Sequence, residues 1–170
     1  HAGDGGGEVV SRAVFERSGP DAIVDWVMLE IRSAVTPATV ITTRSALLQR
    51  DGDVVELDGI SPITFAATPG SYHVAVRHRN HLGVMTAAPL ALGTVPVSID
   101  FRNTATSTYG VQAQKQIGSV MAMWAGDVVH QVPPGILKYA GSENDRDAIL
   151  LAVGGSTPTT TIIGYGPEDV

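Results

Sequence analysis

Residues 22–32 read AIVDWVMLEIR and decide the fold class, because a mostly apolar set of residues alternates along them with a second set. The first set is Ile23, Asp25, Val27, Leu29 and Ile31, and the second is Val24, Trp26, Met28, Glu30 and Arg32. Successive side chains of a strand point to opposite faces of a sheet, so an apolar set with a period of two marks a strand with one buried face. The buried face contains one polar residue, Asp25. The sequence therefore predicts a β-strand whose core-facing residues are Ile23, Val27, Leu29 and Ile31.

Short segments rich in β-branched and apolar residues recur on both sides of this strand, separated by turn residues. The Asp51-Gly52 pair is the clearest hairpin signal among them, since this dipeptide suits a tight turn. Several short strands spaced by turns are typical of a two-sheet sandwich, so residues 9–102 are predicted to form an immunoglobulin-like antiparallel β-sandwich. The predicted strands are 9–17, 22–32, 39–49, 54–57, 63–66, 71–80 and 95–101.

The composition supports a mainly β chain and excludes several classes of protein. The 170 residues include 19 glycines, 10 prolines and no cysteine, and the formal net charge is −6. An acidic chain without a basic patch is not expected to bind nucleic acid, and no apolar run approaches the ~20 residues of a membrane span. Residues 1–8 are rich in glycine and are predicted to be a flexible arm. Because residue 1 is not Met and no leader is present, we expect either a removed signal peptide or a piece of a longer polypeptide.

The character of the sequence changes after Arg102. Residues 111–124 combine good helix formers with Gly118, so they fit a helix or a further strand equally well. Residues 144–153 predict a helix, because Asn144 suits the N-cap position and the glycines at 154–155 suit the end of a helix. Residues 103–170 are therefore treated as a second segment.

Oxygen ligands for a metal are concentrated around this predicted helix. Asp127, Asn144, Asp145 and Asp147 offer hard oxygen donors, and Ca²⁺ prefers a shell of oxygens with variable geometry. The same residues could instead cap the helix and favour its positive end. The residues by themselves leave both interpretations open.

Five short motifs in this segment resemble a known family. They are GD at 126–127, KYAG at 138–141, NDRD at 144–147, AIL at 148–150 and GG at 154–155. In this order they resemble the dockerin-like calcium repeat found near the C-termini of secreted multidomain proteins of bacteria with a type IX export pathway. Residues 77–86, RHRNHLGVMT, resemble a stretch that accompanies this repeat. The resemblance implies an extracellular or cell-surface protein and a calcium site that includes Asp127, Asn144, Asp145 and Asp147.

The sequence departs from the family pattern at two places. Residues 128–135, VVHQVPPG, stand where the family has Asn and Asp ligands, so the first repeat is degenerate. Residues 164–170, GYGPEDV, look like the opening of a second, truncated repeat. Asp169 is carried over as a ligand only if other residues complete this second loop.

Three histidines close together in the sequence raise the question of a catalytic metal. His73 and His78 are five positions apart on a predicted strand, so they point to opposite faces and cannot share a metal without a bulge. Asp25 could join His78 and His81 only if the fold happened to bring it there. The alternative is a polar cluster that fixes the HRNH turn, and the protein is predicted not to be an enzyme.

The segment after the glycine-rich arm is the candidate assembly strand. An apolar strand on a flexible tether can add to the exposed sheet edge of a neighbouring chain and so build a fibre. The sequence therefore predicts an extracellular structural module that associates with copies of itself, with calcium stiffening its C-terminal loop and helix. The alternative is an adhesion or glycan-binding module of a larger secreted protein, with extracellular proteins or glycans as partners. The assembly residues are Val9, Val10, Ala13, Val14 and Phe15.

Overall fold

The structure is a computed structural model that describes residues 7–129 and 136–155 and the isolated residues 159 and 161. Across these residues the protein is mainly β with antiparallel pairing, as the sequence predicts, and it contains one 3-10 helix and one α-helix. The elements in chain order are the 3-10 helix Arg12–Glu16, β1 Ile23–Ser33, β2 Val40–Gln49, β3 Val54–Val55, β4 Gly70–Arg77, β5 Val84–Met85, β6 Leu90–Leu92, β7 Lys115–Ile117, β8 Val120–Ala122 and α1 Asp145–Ala152.

Six of the strands form one sheet in the order β3-β2-β1-β4-β5, and β6 pairs with the other end of β4. The predicted strand over 22–32 is the central strand β1, which pairs along most of its length with β2 and over its second half with β4. A separate hairpin consists of β7 and β8. The described part of the chain therefore has one full sheet and one small one, and the immunoglobulin-like sandwich stays a prediction.

Two small apolar clusters lie on the two faces of the main sheet. Ala46 and Leu47 are neighbours on β2, so their side chains point to opposite faces. Leu47 packs with Val14 and Val55, and the 3-10 helix covers this face. On the other face Ala46 packs with Val27 and Leu29 of β1, and the loop that contains Ile63 and Phe65 covers them. Val27 and Leu29 therefore share a buried face as predicted, whereas Ile23 packs with Leu47 on the opposite face, because the pairing with β2 shifts its register between Ile23 and Asp25. Segments outside the strands close the core on both faces.

Three predicted strands are wrong. Residues 12–16 within the predicted strand 9–17 form the 3-10 helix, because only Val14 of this helix is buried and no neighbouring strand pairs with it. In residues 63–66 the Thr64 N–H donates to the Glu56 carboxylate at 2.9 Å, so the backbone bonds to a side chain in place of a strand. Residues 95–101 have no buried face, since Val95 and Val97 are both exposed.

The second part of the chain agrees better with its prediction. The ambiguous residues 111–124 contain the hairpin β7–β8, where Gly118 takes a positive φ of 59° at the turn. The predicted helix is α1, and Asn144 caps it by accepting a hydrogen bond from the Asp147 N–H at 2.8 Å. It ends at Ala152, and the N–H groups of Gly154 and Gly155 donate to carbonyls of its last turn.

Residues after 102 are hydrogen-bonded back to the main sheet region. The Tyr109 N–H donates to the Met85 carbonyl at 2.8 Å, and the Leu82 N–H donates to the Trp124 carbonyl at 2.8 Å. These bonds fix the chain that leads to the predicted ligand Asp127 beside the end of β4. None of the described helices is long and apolar enough to cross a membrane.

Candidate functional site

The Asp145 carboxylate is the centre of the predicted calcium segment. Its Oδ1 accepts hydrogen bonds from the N–H groups of Val128 at 3.0 Å and Val129 at 2.8 Å, and its Oδ2 accepts one from Lys138 at 2.7 Å. The residue is only 4% exposed. Because Asp145 is the first residue of α1, this carboxylate joins the loop on both sides of it to the start of the helix.

The other predicted ligands lie near Asp145 but are used differently. Asn144 caps the helix, and its Nδ2 donates to the Asp147 Oδ2 at 2.8 Å. This bond and the Arg146 guanidinium hold the pKa of the exposed Asp147 carboxyl below its usual range. Asp127 is buried, and its N–H donates to the carbonyl of Asn80, which follows β4, at 3.2 Å. Asp169 lies outside the described residues.

Calcium binding by these residues stays a prediction, and the described atoms show what the Asp145 carboxylate contacts. Ca²⁺ is normally bound by six to eight oxygens that are free to point at the ion. Both oxygens of Asp145 instead face N–H donors. Among the described side chains, no three His, Asp or Glu are grouped so that they could hold a metal ion. The arrangement works as a carboxylate that satisfies the buried backbone of a loop.

The described part of the N-terminal assembly segment contacts its own sheet through Val14 and Glu8. Val14 is 8% exposed and packs with Leu47 and Val55. The Glu8 carboxylate accepts hydrogen bonds from the Ser45 N–H at 3.4 Å and the Ser45 hydroxyl at 3.1 Å. The segment therefore reaches the outer edge of β2 through one carboxylate, without strand pairing.

The remaining assembly residues contribute little to the core. Val10 is partly buried against the Val14 cluster, whereas Val9, Ala13 and Phe15 are exposed. The segment thus has one main apolar anchor and several exposed apolar side chains.

Within the described residues, the outer edge of β2 is open along most of its length. On this side the described strand that pairs with β2 is β3, at Leu47 and Leu48. A groove of about 150 Å³ runs beside the strand between Glu8 on one side and Thr64 on the other. The N–H of Ser45 points outward to Glu8, and residues two positions apart in a strand point the same way. The backbone of residue 43 therefore also faces this groove.

A chain of hydrogen bonds joins Asp25 to the histidines at the end of β4. The Asp25 Oδ2 lies 3.1 Å from the His78 Nε2, the His78 Nδ1 lies 2.9 Å from the His81 Nδ1, and the latter lies 2.8 Å from the Asn80 Oδ1. A carboxylate only accepts, so the His78 Nε2 carries a proton. Which of the two Nδ1 atoms donates in the contact between His78 and His81 depends on the tautomers of the two rings.

This cluster favours an ionised Asp25 and a neutral His81. Burial raises the pKa of Asp25, but hydrogen bonds from Arg79, the Trp26 N–H and His78 outweigh burial and lower the pKa below its usual value. Burial, and then the charges of His78 and Arg79, lower the pKa of His81. The hydrogen bonds therefore join β1, through Asp25, to the turn that follows β4.

Sequence reasoning separated Asp25 from the histidines, but the fold brings them together. The available signal was that Asp25 is the single polar residue on the apolar face of its strand. The prediction that His73 does not join His78 holds for the geometry described. His73 is buried elsewhere, with its Nδ1 2.9 Å from the Thr86 carbonyl oxygen.

Comparison with known proteins gives no match to any family model, curated protein or solved structure. The basis for a functional proposal is therefore the sequence and geometry of this chain. Among the described residues, three features could contact another molecule. They are the N-terminal segment, the open edge of β2 and the face of the main sheet that carries Glu30.

Proposed function

We propose that this protein is an extracellular, non-enzymatic structural module that assembles with copies of itself into a surface fibre by exchanging its N-terminal segment. The observation that carries the proposal is the attachment of residues 8–17 through Val14 in one apolar cluster and Glu8 on the edge of β2. The immunoglobulin-like arrangement of the strands remains part of the proposal.

Exchange is favoured because the same contacts serve both the closed and the open form. A segment that leaves its own sheet and docks on the next copy makes the Val14 and Glu8 contacts again, so little free energy is lost. Ser18-Gly19-Pro20 lies between the segment and β1 and provides a turn where the chain can redirect. A head-to-tail exchange of this kind leaves one free segment and one free acceptor at the ends and therefore propagates.

The sequence predicts that this segment adds to a neighbouring sheet as an extended strand. Because residues 12–16 are helical, we propose exchange of the segment in place of strand addition. Addition of an extended segment from another chain at the open edge of β2 remains the second route to assembly. It would supply partners for the outward-facing backbone next to Ser45. The two routes differ in whether Val14 changes its chain.

An engineered disulfide distinguishes the routes, because the natural chain has no cysteine. Val14→Cys and Val55→Cys are introduced together, the protein is concentrated and oxidised, and the products are separated by denaturing electrophoresis without reductant. Exchange predicts a ladder of covalent multimers that disappears on reduction. Val14→Cys alone is the control, because one cysteine per chain cannot link more than two chains.

Two outcomes contradict parts of the proposal, and a third supports it. Filaments in negative-stain electron microscopy with only internally linked monomers would exclude segment exchange and favour addition at the β2 edge. The absence of filaments and covalent multimers at every concentration would exclude self-assembly. Filaments and a ladder from the wild-type and double-cysteine chains, respectively, would support it.

Calcium stiffening of residues 127–147 is supported by the dockerin-like motifs and opposed by the use of both Asp145 oxygens for backbone N–H groups. It stays a separate prediction with its own measurement. An ion that binds only the folded state raises the melting temperature with its concentration. Equal melting curves in calcium and in a chelator would remove calcium from the proposal without affecting exchange.

The second candidate function is adhesion or glycan binding. The observation that favours it is Trp26 on β1, which is 36% exposed, since exposed tryptophan rings stack on ligands. Trp124 is less available, because its Nε1 donates to the Gln112 carbonyl at 2.9 Å and Lys115 lies over its ring. Glycan-array binding that is lost in Trp26→Ala would support this alternative.

A further inference from the structure

Three atoms that can bind a metal ion meet at the turn that follows β4. The Nδ1 atoms of His78 and His81 lie 2.9 Å apart, and the Oδ1 of Asn80 lies 2.8 Å from the Nδ1 of His81. The two rings meet edge to face, with an angle of 74° between their planes. Imidazole nitrogens are common ligands of divalent transition metals, and carbonyl oxygens also bind divalent ions.

Hydrogen bonds do not satisfy all three atoms when the two rings are neutral. The Nε2 of His78 carries a proton toward Asp25, so the Nδ1 of a neutral His78 has only a lone pair. The Oδ1 of Asn80 also has only lone pairs, and a neutral His81 brings at most one proton to its Nδ1. A single proton therefore faces two acceptors, whereas one cation would be a partner for all three atoms.

The spacing of the two imidazoles needs only a small change to hold an ion. Zn²⁺ binds imidazole nitrogens at about 2.0–2.1 Å in a tetrahedral arrangement, which places two ligand nitrogens about 3.3 Å apart. The Nδ1 atoms of His78 and His81 would therefore separate by roughly 0.4 Å from their present distance. His81 lies outside the strands and is partly exposed, so its ring has room to move and the ion can enter from solvent.

Asp25 holds His78 in the orientation that a metal ligand requires. Its Oδ2 lies 3.1 Å from the His78 Nε2, which leaves the Nδ1 of the ring for an ion. A carboxylate on the second nitrogen of a metal-bound histidine fixes the ring and makes it a more basic ligand. The Asp25 Oδ1 accepts a hydrogen bond from Arg79 at 2.7 Å, so the guanidinium charge next to the turn is compensated.

Asn80 is fixed by the chain that follows β8. It is 2% exposed, and its carbonyl accepts hydrogen bonds from the N–H groups of Gly126 at 3.0 Å and Asp127 at 3.2 Å. Its side chain is thereby held beside His81. An ion on these three ligands would connect β1, the turn after β4 and residues 126–127.

We propose that this turn binds a zinc ion through His78 Nδ1, His81 Nδ1 and Asn80 Oδ1, with Asp25 as a positioning residue and water completing the shell. Zn²⁺ fits better than Mg²⁺ or Ca²⁺, because two of the three ligands are nitrogens and the latter two ions prefer oxygen. The site shares no ligand with the predicted calcium site and no residue with the N-terminal segment. Its test is therefore independent of calcium binding and of fibre assembly.

The test is a calorimetric titration of the metal-free full chain with ZnCl₂, with MgCl₂ as the matched control ion. We expect one Zn²⁺ per chain, bound at least about 10-fold more tightly than Mg²⁺. In NMR spectra, Zn²⁺ should shift the Nδ1 resonances of His78 and His81 and leave the ring of His73 unchanged. No saturable binding at up to about 1 mM Zn²⁺ would overturn the proposal. Shifts confined to His1 or His130 would indicate an adventitious ion only and would also overturn it.

Two variants and one control connect the binding to the turn. His81→Gln removes an imidazole ligand and should weaken Zn²⁺ binding by at least about 10-fold. Asp25→Asn should weaken it by about 10- to 100-fold and should alter the ring tautomer of His78 in NMR spectra, which a general loss of stability would not do. The double variant His1→Gln/His130→Gln removes two other histidines and should bind normally. Unchanged binding in His81→Gln, or an equal loss in the double variant, would contradict the assignment.

Discussion

Replacing Asp145 by asparagine tests whether this carboxylate holds the loop before α1 in place. The substitution keeps the size of the side chain but leaves one acceptor oxygen and adds an NH₂ group. If the oxygen stays on the Val128 and Val129 N–H groups, the NH₂ faces the Lys138 N–H, which now meets a donor. Lys138 thus loses a charge-assisted bond, and its N–H is left without a partner.

The magnitude follows from these contacts. A hydrogen bond to a charged group contributes about 1.5–3 kcal/mol, and an unsatisfied buried donor costs about 1–3 kcal/mol. Because the two contributions overlap, we expect the loop to lose about 2–4 kcal/mol of local stability. At 1.4 kcal/mol for each tenfold change, this corresponds to a roughly 30- to 700-fold larger equilibrium constant for opening of the loop.

Native-state hydrogen exchange measures this change at individual amides. The amides of Val129 and Lys138 should exchange faster in Asp145→Asn, while the amides of β1 should not change. Asp147→Asn is the matched control, since it makes the same charge change in the same helical turn on an exposed side chain. Equal exchange at Lys138 in the two variants would refute the assigned role of Asp145.

Three further predictions concern the rest of the fold. Gly59→Ala should destabilise the protein by about 1–3 kcal/mol in urea unfolding, because residue 59 has a φ of +76° and a new Cβ would lie 2.8 Å from the Val14 Cγ1. Gly19→Ala is the control that separates backbone strain from the steric clash, since Gly19 has a similar φ but open space around it. The pKa of His81 is lowered in the folded protein, so its contribution to the free energy of unfolding is complete above pH 6.5 and is lost as the pH falls through the pKa of the folded state. His81→Asn should remove this loss of stability in acid. A stability–pH profile that is unchanged in the variant would contradict the prediction. Burial raises the pKa of Glu56, but hydrogen bonds from Thr64 and Arg44 outweigh burial and lower the pKa overall. The stabilisation by Glu56 is therefore present above pH 4.5 and is lost as the pH falls further. Glu56→Gln should unfold at a lower urea concentration at pH 7 and should lose less stability in acid than the wild type.

Local signals predicted the long elements well. The alternation of 22–32 was sufficient to place β1, because eleven residues with a period of two fit no other element. Asn144 and the glycines at 154–155 bounded α1 correctly, because capping depends on residues within one turn of the helix end. These predictions needed no knowledge of what the elements pack against.

Segments whose state depends on a partner were predicted poorly. Residues 12–16 and 63–66 have the composition of strands, yet Val14 and Phe65 serve as lids on opposite faces of the sheet. Whether an apolar segment pairs or only covers is determined by the edges that other strands leave available. Composition alone does not contain that information.

The sequence by itself determined the β class, the central strand, the capped helix and the set of oxygen-bearing residues around it. Only the tertiary structure decided what those residues do, because a carboxylate binds a cation or a row of N–H groups according to which atoms face it. It brought Asp25 to His78 across 53 positions. Such contacts depend on how distant strands align, and that alignment is a property of the whole sheet.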